Sequence, residues 1–163
     1  MEIFYKNIRQ YKIVDKNKDK IANLKDILID LRNGRVVAFV TMDHLCFLPT
    51  DILGCHQNEI QISNKFFLKA VNDLEQINQC GIIIGKKVFT KSHEFLGRVR
   101  DFAVDTNTNY LELIKVVKKF FFFLPIKKCE INLKNIIEIN EKEVIVDDIL
   151  IQEPLRQVDL ATA

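Results

Sequence analysis

A ten-residue stretch of this chain recurs about seventy-five residues later, and this repeat constrains the fold more than any other feature. Residues 21–30 and residues 96–105 carry apolar and acidic side chains at matching positions. Each copy continues through a turn-forming segment into an apolar stretch and closes on a Leu-Pro pair, at Leu48-Pro49 and at Leu124-Pro125. A repeat of this period predicts two similar small modules rather than an array of short repeating units.

Short strands dominate the predicted secondary structure of both copies. Apolar and polar residues alternate imperfectly within each repeat, which is typical of a strand with one buried face. Asn33-Gly34 predicts a hairpin because both residues tolerate positive φ, and residues 107–109 form a looser Asn-rich turn. Residues 136–146 are expected to form two short strands joined by a polar turn. The expected fold class is therefore mainly β, with two small antiparallel β-barrels.

A short helix is predicted between the two copies. From Phe66 to Ile77 the apolar residues fall at helical spacing, and polar residues fill the other side. The sequence therefore divides into four segments. These are a first module at 1–64, a bridging helix at 65–80, a second module at 81–150 and a tail at 151–163.

The charge balance and the cysteine pattern limit the classes of protein to which the chain can belong. Its 163 residues carry a formal net charge of only +2, which is too small to suggest a dedicated nucleic-acid binder. No segment approaches the roughly 20 apolar residues that a membrane span needs. The four cysteines form no CxxC pair, and the first twenty residues are too polar for a signal peptide. We therefore expect a cytoplasmic protein with reduced, buried thiols and no membrane insertion.

Three segments of the second copy resemble the opening strands and turn of a PRC-barrel domain. These segments are residues 84–90, 95–101 and 104–109, and the first copy is a weaker match, with Ala22 in place of Gly97. The family includes the cytoplasmic part of the photosynthetic reaction-centre H subunit and the C-terminal domain of a ribosome maturation factor, and related stand-alone proteins are linked to archaeal cell division. The resemblance implies a small β-barrel that docks onto other proteins and has no shared catalytic residue.

Paired aspartates recur in both copies, as Asp26 and Asp30 and as Asp101 and Asp105. Two residues four apart along a strand lie roughly 13 Å from each other, which is too far for one shared proton. We therefore expect structural roles. The second Asp of each pair should bind the hairpin backbone, and the first should pair with a nearby Lys or Arg.

One cluster has residue types that bind zinc, namely His44, Cys46, Cys55 and His56. Alternation would place His44 and Cys46 on one strand face, but the tight spacing of structural zinc sites is missing. The sequence also lacks a GxSxG elbow, a GxxxxGK[ST] loop and a GxGxxG fingerprint. We therefore predict no metal, no cofactor and no enzymatic activity.

A run of four phenylalanines gives the strongest indication of a binding surface. In a strand, Phe121 and Phe123 point to one face, and Phe120 and Phe122 point to the other. Only one pair can fill the core of this module, so the other pair meets the first module, a second subunit or a partner protein. The predicted partner-binding residues are Lys118, Lys119, Phe120 and Phe122.

Two functions follow from these observations. The first is a non-enzymatic adaptor or scaffold that acts through protein contacts, either with a partner protein or with a second copy of the chain in a homodimer. The alternative is an RNA- or ribosome-associated maturation factor that uses the basic second module. Residues 86–128 contain ten Lys or Arg against four acids, whereas residues 129–150 contain six acids against two bases. These opposite charges could also meet as ordinary surface pairs.

Overall fold

The computed structural model describes residues 1–74, 77, 80–118 and 127–148. These residues contain fifteen strands joined by tight turns and short 3-10 helices. The strands are β1 (Glu2–Phe4), β2 (Lys12–Val14), β3 (Lys20–Asp30), β4 (Val36–Thr41), β5 (Leu45–Phe47), β6 (Ile52–His56), β7 (Glu59–Ile62), β8 (Lys69–Ala70), β9 (Cys80–Gly81), β10 (Lys87–Thr90), β11 (Phe95–Asp105), β12 (Tyr110–Lys118), β13 (Lys127–Asn132), β14 (Ile136–Ile139) and β15 (Glu143–Val146). The 3-10 helices are Tyr5–Gln10, Pro49–Asp51, Lys65–Phe67, Val71–Asp73 and Leu133–Asn135.

The strands form two sheets that share one order of six strands. The first sheet runs β6-β7-β2-β3-β4-β5, and the second runs β14-β15-β10-β11-β12-β13. The prediction of a mainly β chain with two similar modules is thus confirmed. Most neighbours are antiparallel, as predicted, but β2 pairs with β7 and β10 pairs with β15 in parallel. Both parallel pairs arise because the last of the six strands in each copy, β7 or β15, returns beside the first strand of that copy, β2 or β10.

The sequence repeat forms the long central strand of each sheet, β3 in the first and β11 in the second. The pairing of β3 with β4 skips Lys25, and the pairing of β11 with β12 skips Arg100. A second bulge skips Val37 on β4 and Glu112 on β12. Bulges bend a strand and increase its twist. The repeat therefore specifies the curvature of both sheets as well as their strands.

Both predicted hairpin turns are confirmed. In the first, Gly34 has φ 75° and its N–H donates to the carbonyl of Asp30 at 2.9 Å. In the second, Asn109 has φ 59° and its N–H donates to the carbonyl of Asp105 at 2.8 Å. Asn and Gly suit these positions because other residues adopt positive φ at a cost.

Each sheet includes a strand from outside its own repeat. Strand β1, at the start of the chain, pairs with β11 of the second sheet, with Ile3 opposite Val104. Strand β9, which precedes the second copy, pairs with β3 of the first sheet, with Gly81 opposite Ile29. The first module therefore contributes a strand to the second sheet, and the segment that precedes the second copy contributes a strand to the first sheet.

The two hairpin ends also pair with each other. Arg35 and Tyr110 form an antiparallel bridge. The N–H of Val36 donates to the backbone carbonyl of Asn109 at 2.9 Å, and the N–H of Leu111 donates to the backbone carbonyl of Gly34 at 2.8 Å. These residues occupy equivalent positions in the two copies, so the contact has approximate twofold symmetry.

One hydrophobic core extends through both modules. Buried side chains such as Phe39 and Ile60 from the first module and Ile114 and Val144 from the second belong to the same packed cluster. Residues 5–10 lie between the sheets, where the ring of Tyr5 stacks on Phe102 with centroids 4.8 Å apart. The two modules thus bury apolar surface together, which is the main favourable term in folding.

The bridging segment differs from the continuous helix expected from Phe66 to Ile77. Its described residues include the 3-10 helices Lys65–Phe67 and Val71–Asp73 with the two-residue strand β8 between them, and β8 pairs with β5. Leu74 and Val71 pack on a small separate cluster around Cys46. The apolar spacing of three suits 3-10 turns as well as an α-helix. Pairing of β8 with the edge of β5 satisfies backbone groups that a helix would leave exposed on that strand.

Substitution of Gly97 tests the close approach of two strands in the second sheet. Gly97 has φ 138°, and a Cβ there would lie 2.5 Å from the carbonyl oxygen of Val117. We expect Gly97→Ala to lower the free energy of unfolding by about 2–4 kcal/mol, measured by urea denaturation. The matched control is Ala22→Gly at the equivalent position of the first copy, which should cost only about 1 kcal/mol. Equal losses at the two positions would contradict the described strand packing.

Candidate functional site

A groove with a volume of about 510 Å³ lies where the two modules meet. We call it the junction groove. The first module contributes Arg35, Val36, Val37, Leu48, Pro49 and Thr50, the bridging segment contributes Lys69, Asp73 and Leu74, and the second module contributes Thr108, Asn109 and Tyr110. The groove therefore exists only when both copies are folded together.

The floor of the junction groove is apolar. Val36, at the start of β4, is buried, and Leu48 and Leu74 are half-buried. The carboxylate of Asp51 accepts a hydrogen bond from the N–H of Leu48 at 2.8 Å, which fixes the corner before Pro49. The described floor of the groove therefore offers apolar side chains next to a backbone corner held by Asp51.

Charged and aromatic side chains form the rim. Arg35, Lys69, Asp73 and Tyr110 are all exposed. Among the described residues, neither Arg35 nor Lys69 has a carboxylate within 4.0 Å. The rim thus presents two cations and one carboxylate to an incoming ligand.

The wall from the second module is the turn that contains Asn109. Its backbone is held by the bridge between the hairpin ends, and its side-chain Oδ1 is buried with no hydrogen-bond partner among the described residues. A buried acceptor without a donor reduces stability.

A second, smaller cavity of about 140 Å³ lies between the modules, beside Tyr5 and Asp26. Burial raises the pKa of the Asp26 carboxyl, and burial together with the Asp26 charge raises the pKa of Tyr5. Burial also raises the pKa of the Cys80 thiol, which lines the same cavity. A thiol with a raised pKa is a poor nucleophile at neutral pH. This cavity is largely apolar and suits packing better than chemistry.

The predicted role of the second Asp in each pair is confirmed. Asp30 accepts a hydrogen bond from the N–H of Arg32 at 3.0 Å, and its other carboxylate oxygen lies 2.8 Å from the Arg32 guanidinium. Asp105 accepts a hydrogen bond from the N–H of Asn107 at 3.0 Å. Both residues close the turn that follows their strand.

Among the described residues, neither Asp26 nor Asp101 forms an ion pair with Lys or Arg, so the predicted pairing of the first Asp is wrong there. Asp26 accepts a hydrogen bond from the N–H of Ile27 at 2.8 Å. Asp101 accepts from the N–H of Phe102 at 3.0 Å and from the N–H of Lys6 at 2.9 Å. Each Asp follows the skipped residue of a bulge, where the ladder is disrupted and a backbone N–H needs another acceptor.

The possible zinc ligands do not converge. His44 is exposed in a turn with φ 61° rather than in a strand, and its ring lies 3.3 Å from the amine of Lys25. Cys46 packs in the small cluster, whereas Cys55 packs against the main core. Within the described part of the chain, no three His, Cys, Asp or Glu side chains could hold a metal ion. Of the four cysteines only Cys46 is buried, so the prediction of buried thiols holds for that residue alone.

The predicted partner-binding surface is described at one residue only. The amine of Lys118 donates to the carbonyl of Phe95 at 2.6 Å and lies over the Phe95 ring. Lys118 therefore contacts its own module. Lys119, Phe120 and Phe122 lie outside the described residues.

Part of the basic stretch in the second module is engaged in internal contacts. Lys86 donates to the carbonyls of Asn140 and Glu141 at 2.7 and 2.6 Å, and burial lowers its pKa. Lys115 forms an ion pair with Glu130 at 2.9 Å across two strands. Basic and acidic segments of the sequence thus meet within the second sheet.

Comparison with known protein families assigns the chain. A model of the PRC-barrel domain matches residues 1–72 and again residues 82–152. The chain belongs to the PRC-barrel domain family. The two matched segments contain the six shared strands of each sheet, β2 to β7 and β10 to β15, so the protein is a tandem of PRC-barrel domains, and both copies match, including the first. No curated protein matches the sequence. No helix in the described part of this PRC-barrel protein is long and apolar enough to cross a membrane.

The ion pair at the first hairpin gives a pH-dependent prediction. Hydrogen bonds from Arg32 hold the pKa of Asp30 below its usual range, so ionised Asp30 stabilises the fold at neutral pH, and this contribution is lost as pH falls through the lowered pKa. We expect Asp30→Asn to cost about 1–2 kcal/mol at pH 7 and progressively less in acid, measured by urea denaturation across pH.

Asp26→Asn is the matched control, and its expected effect on the free energy of unfolding at pH 7 has the opposite sign. Burial raises the pKa of Asp26, so its ionised form destabilises the folded state. This variant should be neutral or stabilising at pH 7, and the effect should vanish in acid. A pH-independent loss at Asp30 would show that its charge has no role in stability.

Proposed function

We propose that this tandem PRC-barrel protein is a non-enzymatic cytoplasmic adaptor that binds a partner protein in the junction groove. The observation that carries the proposal is the composition of the groove. An exposed Arg and an exposed Tyr stand beside an apolar floor, and both modules contribute to the site. Arg and Tyr are enriched among the residues that dominate protein–protein binding energy.

The lining of the groove favours recognition over catalysis. Among the described residues, those that line the groove include a single carboxylate, Asp73, together with two cations, three hydroxyl groups and an amide. This set can orient and bind a peptide through hydrogen bonds and charge. General acid–base work by two carboxylates would require a second acid at this position.

The alternative function, RNA or ribosome association through the basic second module, has less support. Lys86 and Lys115 are held by groups of their own module, so they are less available to phosphate groups. Crosslinking of the junction groove to RNA would therefore favour this alternative over the adaptor.

The surface predicted at Lys118, Lys119, Phe120 and Phe122 remains a second proposed contact for a partner or for another copy of the chain. The amine of Lys118 donates a hydrogen bond to the carbonyl of Phe95 in its own module, so the junction groove has the stronger support as the binding site.

A site-specific photocrosslink tests the proposed function. We expect benzoylphenylalanine in place of Tyr110 to crosslink one protein in cells of the source organism, because this side chain is 40% exposed at the groove. The captured protein, once purified, should bind the unmodified chain saturably. The control is the same substitution at Ile137, which is 55% exposed on β14 away from the groove and should not capture this protein.

Three results would contradict the adaptor function. These are crosslinking of position 110 to RNA, equal capture of the protein at position 137, and no protein adduct at position 110.

A further inference from the structure

We infer that the occupant of the junction groove is a short acidic segment with apolar side chains, supplied by the partner protein. This inference rests on the proposed adaptor function and adds the chemistry of the ligand.

Charge at the rim indicates an anionic ligand. Arg35 and Lys69 are exposed and have no ion-pair partner among the described residues, and Asp73 is the single acid that lines the groove. The local excess is one positive charge. A guanidinium can bind a carboxylate through two parallel hydrogen bonds, which gives both direction and affinity.

The size and floor of the groove indicate a peptide. A volume of about 510 Å³ falls within the roughly 300–1,000 Å³ of sites that bind small ligands, so it suits a few residues rather than a domain face. Val36, Leu48 and Leu74 provide an apolar floor beside the cations. Alternating acidic and apolar side chains would satisfy the rim and the floor together.

The hairpin bridge holds part of the site in place before the ligand arrives. Arg35 and Tyr110 are directly paired, with backbone hydrogen bonds of 2.9 and 2.8 Å on either side. A site held in its binding geometry loses less conformational entropy when the ligand binds. The arrangement therefore favours specific binding of a small segment.

A nucleic acid suits this groove less well than a peptide does. Proteins that depend on the phosphate backbone commonly make about 6–10 phosphate contacts, whereas this groove presents two cations with Asp73 beside them.

Titration with matched synthetic peptides tests the inference. The probe is a fluorescein-labelled hexapeptide of alternating glutamate and leucine, and the control peptides carry glutamine or lysine in place of glutamate. We expect saturable binding of the acidic peptide by fluorescence anisotropy, weaker at 200 mM than at 50 mM salt because the charges are screened. Binding of the lysine peptide should be undetectable.

Variants of the full chain identify the charges involved. Arg35→Gln and Lys69→Gln should each weaken binding by about two- to fivefold, which is the usual range for an exposed ion pair. Asp73→Asn should tighten binding by a similar factor, because it removes a like charge. Arg100→Gln, an exposed change outside the groove, should leave binding unchanged.

Equal binding of the glutamate and glutamine peptides would overturn the inference, as would weaker binding to Asp73→Asn or no binding at all. Any of these three results is compatible with the adaptor proposal if position 110 still crosslinks a protein. If position 110 captures no protein, the adaptor proposal fails independently of the peptide titration.

Discussion

The backbone pairing between the two hairpin ends is the contact on which the architecture and the site depend. Arg35 lies opposite Tyr110, and hydrogen bonds on either side join residues at equivalent positions of the two copies. This pairing brings the second turn against the first module. The copies also share one core, pair across the copies through strands β1 and β9, and line the junction groove together.

The sequence repeat predicts much of each sheet, because local patterns determine strands and turns. The long strands, the Asn33-Gly34 turn and the second Asn-rich turn all lie where alternation and turn chemistry place them. Local patterns do not predict the pairing of β1 with β11 or of β9 with β3, since pairing between distant segments has no local sequence signature. The parallel strand pairs were missed for the same reason.

The sequence predicts only part of the candidate site. The turns beside Arg35 and Tyr110 were predicted, but contact between them depends on tertiary pairing. Lys69 and Asp73 belong to the segment for which a helix was expected, so their positions on the rim could not be derived. The phenylalanine run predicts a binding surface at residues that lie outside the described part of the chain, and the open groove beside the first Leu-Pro pair has no such signal in the sequence.

The central claim is that the pairing of β1 and β9 across the two copies makes the two modules one cooperative unit, and native-state hydrogen exchange of Ile3→Ala tests it most directly. Ile3 is fully buried in β1 opposite Val104, so its truncation should cost about 2–4 kcal/mol. If the modules unfold together, the most protected amides of β3 and β4 in the first sheet lose as much protection as those of β11 and β12. Unchanged protection in β3 and β4, with loss confined to the second sheet, would contradict the account.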